Sequence, residues 1–228
     1  MMGLSPEIWA AVALSLRVSA LATVVTLPLA LGVAWLLVRR RFPGRALLDA
    51  LVNVPLVLPP VVTGYVLLVA FGPQGALGGP LAAVGVEVAF RPLGAAIAAA
   101  VMAFPLMVRA LKVAIEAVDP RLEEAAATLG AGRWAVFRRV TLPLALPGVA
   151  AAAILGFAKA MGEFGATITL VANIPFQTQT VPSAIYALLQ VPGQEGAVVT
   201  LVCLTLALSL GALIAAEWFV RRWRSRDD

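Results

Sequence analysis

The sequence contains no histidine and only one cysteine, Cys203. Without histidine the common zinc and iron ligand sets cannot be assembled. A single cysteine allows neither a disulfide nor a cysteine-based metal site within one chain. Charge is scarce as well: Asp, Glu, Lys and Arg make up 13% of the chain, against roughly 25% in a soluble domain. The phosphate-cradling pattern G-x-x-x-x-G-K-[ST] does not occur, so the chain does not read as an ATPase. No carboxylate pair stands at an expected outer face, which leaves little equipment for an integral membrane enzyme. The stretch from Met1 to Trp9 has no basic residue and carries Glu7, so no cleavable signal peptide is expected.

What the chain has in excess is apolar sequence. Hydrophobic residues make up 61% and the mean hydropathy is +0.97, where a soluble domain has about 45–50% apolar residues. The excess runs the whole length, and several stretches exceed the ~18 apolar residues that mark a transmembrane helix. An all-α integral membrane protein is expected, with residues 1–228 forming one membrane domain. Five spans are expected, within residues 8–38, 47–71, 93–113, 147–171 and 197–220. Arg17 interrupts the first, so its span proper is expected over 18–38, with the preceding stretch at the interface or against a neighbour. Pro55, Pro59 and Pro60 break the second, and Pro105 lies inside the third.

The net charge of +5 does not point to nucleic acid, because the arginines cluster beside apolar spans in the positive-inside pattern. Arg39, Arg40, Arg41 and Arg45 separate spans one and two. Arg109, Lys112, Arg121, Arg133, Arg138 and Arg139 lie between spans three and four or at their edges. Arg221, Arg222, Arg224 and Arg226 follow span five. Of the other connections, Arg91 borders one, and residues 172–196 hold no basic residue. The N-terminus is therefore expected outside and the C-terminus in the cytoplasm, which requires an odd number of spans.

The connection at 116–143 is the longest hydrophilic stretch. Asp119 reads as an N-cap, Pro120 as the first helical residue, and Glu123 and Glu124 as first-turn acids. A helix is expected over 121–129, broken by Gly130 and Gly132. A second short helix over 133–140 is expected to end at Pro143.

Glu124-Ala125-Ala126, then Gly130 and then Val140-Thr141-Leu142-Pro143 resemble, in residue type and spacing, the EAA signature of binding-protein-dependent ABC importer permeases. Small alanines allow close approach, the glutamate offers a carboxylate to a basic partner, and the glycine permits a sharp turn. Further segments resemble molybdate permeases: Pro55 through Tyr65 with Pro59-Pro60, Phe104-Pro105-Leu106-Met107-Val108-Arg109, Gly162-Glu163-Phe164-Gly165-Ala166-Thr167, Asn173-Ile174-Pro175 and Gln179-Thr180-Val181-Pro182. Sulfate and thiosulfate permeases share part of this pattern.

The resemblance implies a type I importer permease for molybdate, with tungstate as a second cargo, in the cytoplasmic membrane. It implies a coupling helix between spans three and four that engages a separate cytoplasmic ATPase through Glu123, Glu124, Ala125, Ala126, Gly130, Leu142 and Pro143. An extracytoplasmic oxyanion-binding protein docking near 172–196, a second permease copy and no cofactor complete what it implies.

Within the spans, Lys159 and Glu163 stand four apart and share a helical face. They line a translocation path or gate, or form an ion pair that orients span four. Pro59 and Pro60 either kink a gate or fix a bend for packing. Asp49 is expected to pair with a nearby arginine, and Glu217 with Arg221. Trp218 and Trp223 fit an interfacial anchor, and Cys203 an apolar filler. A secondary transporter fits less well, since no internal repeat is visible.

Overall fold

The computed structural model describes the backbone of residues 6–224, and their side chains except at 208, 212, 213 and from 215 onward. The chain forms α1 (Pro6–Arg39), α2 (Arg45–Val57), α3 (Pro60–Phe71), α4 (Gly78–Ala83), α5 (Pro92–Glu116), α6 (Pro120–Thr128) and α7 (Arg133–Val136). A π-helical turn (Phe137–Thr141) follows, then α8 (Leu142–Met161), α9 (Gly165–Val171), α10 (Val181–Leu188) and α11 (Glu195–Arg224). Among the described residues there is no strand.

Three helical stretches are long and apolar enough to cross a membrane: α1, α5 and the run Arg133–Met161. The α2 and α3 pair would make a fourth, bent by 111° at its break. At ~1.5 Å per residue, α1 is about 50 Å long, well beyond a ~30 Å hydrocarbon core. It runs through Arg17 without interruption, and Arg17 is exposed.

Helix α1 acts as a mast for three apolar clusters. Near its start Ala11 and Val12 meet Val181, Ala184 and Leu201 of α10 and α11, so the stretch before Arg17 lies against neighbouring helices. In the middle Val18 and Ala22 pack with Ala99 and Met102 of α5 and with Ala166 and Leu170 of α9. At its end Ala30, Ala34 and Leu37 pack with Met107, Leu111 and Ile115 of α5 and with Ala145 and Ala152 of α8. Small residues let these backbones approach closely. A Cβ on Gly148 of α8 would overlap the Ala114 side chain of α5, and one on Gly156 would press on Met107.

Several expectations are corrected. The second span is broken between Val57 and Pro60, but Pro55 lies inside α2 and does not break it. The fourth, expected over 147–171, is one helix ending at Met161 and a separate α9 after a three-residue break. Pro143 does not end a short helix: it sits at the start of α8 within a helical run that continues from Arg133 to Met161. The preceding residues widen into the π-turn, in which the Leu142 N–H donates to the Phe137 carbonyl. Asp49 pairs with Lys112 of α5 at 2.9 Å instead of with an arginine. Cys203 is exposed on the outside of the chain rather than filling its core. The expected pair of Glu217 with Arg221, the anchors Trp218 and Trp223, and the basic cluster at 221–226 lie outside the described side chains.

Candidate functional site

Two places concentrate the polar chemistry of the chain. The first is the projection at the α5–α8 connection. Asp119 caps α6, its carboxylate accepting from the Arg121 N–H at 2.9 Å. Gly130 takes φ +85°, a left-handed value that disfavours side chains, and turns the chain toward α7. No residue of α6 is buried, so apolar packing does not hold this helix in place.

Polar contacts do. The Arg39 Nε lies 2.9 Å from Glu123 Oε2. The same guanidinium donates through Nη2 to the carbonyls of Ile115 and Val118, both at 2.9 Å. The Thr141 hydroxyl donates to the other Glu123 oxygen. Thr141 is buried, at the junction of the π-turn and α8. Beside this network Trp134 stacks on Phe137, Trp35 meets Phe137 edge-on, and Arg40 lies over the Trp35 ring. The cleft between them is lined by Trp35, Arg40, Glu124, Arg133 and Phe137 among others.

The sequence-predicted residues of this region separate into two groups. Glu124 and Ala125 are exposed, Ala126 is half-buried, and Gly130 is exposed. Glu124, Ala125 and Gly130 thus lie open to the outside, as do Leu122 and Leu129, the latter 89% exposed. Glu123 points the other way, into the fold, with its carboxylate engaged. Leu142 and Pro143 belong to the base of α8 rather than to the projecting helix. Arg39 escaped the sequence reading as a site residue, and Thr141 entered it only as part of the signature. Arg39 looked like one member of a positive-inside cluster, and its carbonyl partners lie in the last turn of α5 and just beyond it.

The second place is where two helix breaks meet. Helix α8 ends at Met161, and Gly162-Glu163-Phe164 lead into α9. Glu163 is only 3% exposed. Its Oε2 accepts from Lys159 Nζ at 2.6 Å, and its Oε1 from the Ala166 N–H at 3.1 Å. The carboxylate therefore joins the end of α8 to the start of α9. The Lys159 side chain remains 31% exposed, so the pair has a buried acid and a cation with an open side.

The break at Leu58 and Pro59 between α2 and α3 packs directly on this one. A Cβ on Gly165 would lie 2.8 Å from the Pro60 Cβ, and one on Gly64 would lie 2.6 Å from the Ala166 carbonyl oxygen. Pro60 thus meets Gly165, two residues past Glu163, and Pro59 and Pro60 are both exposed. Thr63, beside Gly64, is buried with an unpaired hydroxyl. Among the described residues no group of three or more Cys, Asp or Glu is arranged to hold a metal ion.

Comparison with known proteins covers almost the entire chain. A family model described as "Binding-protein-dependent transport system inner membrane component" matches residues 26–225. The "Molybdenum transport system permease protein ModB" of Escherichia coli K12 is 54% identical over 222 residues, 97% of this chain and 96% of that protein. The "Sulfate transport system permease protein CysT" of the same organism is 39% identical over 186 residues, 82% of this chain and 67% of that protein. Among solved structures, an inward-facing MetNI methionine ABC transporter superposes with a TM-score of 0.71 at 20% identity, covering 96% of this chain and 95% of that one. The likeness is one of fold.

Proposed function

Because the chain belongs to the family of binding-protein-dependent transport system inner membrane components, we propose that it is the membrane permease of an ATP-driven molybdate importer. One observation carries the cargo assignment. Identity to a molybdenum permease is 54% over 97% of the chain, against 39% over 82% for a sulfate permease. Tungstate, a tetrahedral dianion of nearly the same size, is a second cargo of the same path.

The protein is a multi-pass component of the inner membrane, and ATP hydrolysis resides on a separate ABC subunit, since the chain has no phosphate-binding loop of its own. Five spans follow if the bent α2 and α3 pair and α11 each count as one, with the N-terminus outside and the C-terminus in the cytoplasm. The arginine distribution supports that orientation. The face of α6 bearing Glu124, Ala125 and Ala126 docks on the ATPase. Its projection beyond the apolar body, its lack of buried residues and the turn at Gly130 support this role. Closure of the ATPase pair then moves α6 and, through the π-turn, α8.

A substrate-loaded binding protein docks on the opposite end, around 172–196. A second copy of the permease completes the path. Lys159 and Glu163 stand at the gate. Lys159 offers positive potential to a dianion, and Glu163 keeps that potential from holding it. The two contacting helix breaks supply the hinge on which such a gate turns.

The test is uptake of molybdate into proteoliposomes containing the permease, its ATPase and its binding protein, with sulfate in excess. ATP-dependent uptake that sulfate does not compete away is the expected result. Uptake blocked by sulfate moves the assignment to the sulfate permeases, and uptake indifferent to ATP removes the importer reading altogether.

A further inference from the structure

Glu123 and Glu124 are neighbours in sequence, yet their carboxylates face different things. Glu124 is exposed on the free face of α6. Glu123 is held between Arg39 of α1 and Thr141 at the base of α8, and the Arg39 guanidinium also carries the carbonyls of Ile115 and Val118 at the end of α5. Four elements therefore converge on one arginine and one carboxylate. The side chains of both are 17% exposed, so solvent weakens the contact far less than it does a surface pair.

We propose that Arg39 and Glu123 form the positioning lock that transmits displacement of α6 to the membrane helices, with Glu124 left as the docking carboxylate. The inference rests on the importer reading and assigns within it a role to a residue on the first helix. The physical argument is one of stiffness. Because α6 buries no side chain, a push on it is absorbed by rotation of the helix unless some directional contact resists.

The guanidinium supplies that resistance. Its planar fork aims Nη2 N–H groups at two carbonyls, a fixed geometry that a lysine ammonium cannot reproduce, while Nε holds the Glu123 carboxylate at 2.9 Å as an ion pair not aligned as a hydrogen bond. The two carbonyl bonds are charge-assisted and directional, and the Thr141 hydroxyl fixes the orientation of the carboxylate. Thr141 extends the lock into α8, the helix that ends at the break next to Glu163. Movement of α6 thus reaches α1 and α5 through Arg39, and α8 through Thr141.

The experiment compares Arg39→Ala with Arg41→Ala in the complete transporter. Arg41 is exposed in the same connection, and its removal costs the same charge. The readout is molybdate imported per ATP hydrolysed. Arg39→Ala is expected to lower this ratio about tenfold or more, the size associated with losing a charge-assisted bond, while Arg41→Ala stays near the parent. Glu123→Ala lowers it similarly, and adding it to Arg39→Ala brings little further loss. Arg39→Lys, which preserves the charge that guides insertion, falls between.

A second readout does not depend on the cargo. In a Cys203→Ser background, nitroxides placed by Leu29→Cys on α1 and Leu129→Cys beyond α6 give a narrow distance distribution, which Arg39→Ala broadens. An unchanged ratio in Arg39→Ala, equal losses in Arg39→Ala and Arg41→Ala, or an unbroadened distribution each overturns the lock. If the parent protein imports no molybdate, the importer reading fails, and the distance distribution still decides for or against the lock.

Discussion

Two ion pairs in this molecule do opposite work. Lys159 and Glu163 lie four apart on one stretch of chain and bridge a break in it. Arg39 and Glu123 join the first helix to a helix between α5 and α8, with no help from chain connectivity. The local pair lets a helix stop and restart inside the apolar body without leaving a carboxylate uncompensated. The distant pair fixes a helix that has almost no apolar packing of its own. One permits bending, and the other prevents slack. The chain thus has a break between α8 and α9, and a junction of α1, α5, α6 and the base of α8 tied by polar contacts.

The largest effect is expected at the local pair. Lys159→Met leaves a buried Glu163 carboxylate without its cation, at a cost toward the low end of the ~3–5 kcal/mol typical of a broken buried pair, because Lys159 is partly open. Thermal unfolding in detergent measures it, and the double variant Lys159→Met with Glu163→Leu should recover much of the loss. Recovery would show that the pair is dispensable for folding, leaving its effect on uptake as the mark of a gate.

Next comes the contact between the breaks. Gly64→Ala places a methyl against the Ala166 carbonyl and Thr169 Cβ, and overpacking of this kind costs about 1–3 kcal/mol. Gly156→Ala meets the flexible Met107 side chain instead, and should lower the unfolding temperature less. Equal losses would mean that the breaks are no more tightly fitted than the rest of the bundle.

Thr141→Val sharpens the distant pair. It removes one hydrogen bond from Glu123 and should cost about 1 kcal/mol in stability, while cutting uptake per ATP by more than that figure would suggest. The smallest effect is expected from Lys112→Ala. Its partner Asp49 is 40% exposed, and such pairs contribute ~0–1 kcal/mol. A large loss there would erase the distinction between ordinary ion pairs and the two singled out above.

Sequence exposed the features that are local. The cap at Asp119, the start at Pro120 and the turn at Gly130 each depend on residues within a few positions, and α6 appears over Pro120–Thr128. The pairing of Lys159 with Glu163 was legible from helical spacing for the same reason. The break after Met161 was hidden, because Gly162-Glu163-Phe164-Gly165 interrupts an apolar run without lowering its hydropathy enough to end a span. Pro143 misled in the opposite direction: a proline near a helix start can belong to the helix that follows, and the π-turn made room for it. Arg39 was invisible as anything but charge, since its partners Ile115, Val118 and Glu123 are brought to it only by the packing of α1 on α5.

The most direct test of the claim that α6 is the port for the ATPase's work is hydrogen exchange of the permease with and without its ATPase subunit. The account predicts slowed exchange concentrated over residues 120–136, and its loss in Glu124→Arg. Protection elsewhere, with 120–136 exchanging as in the free permease, would contradict it.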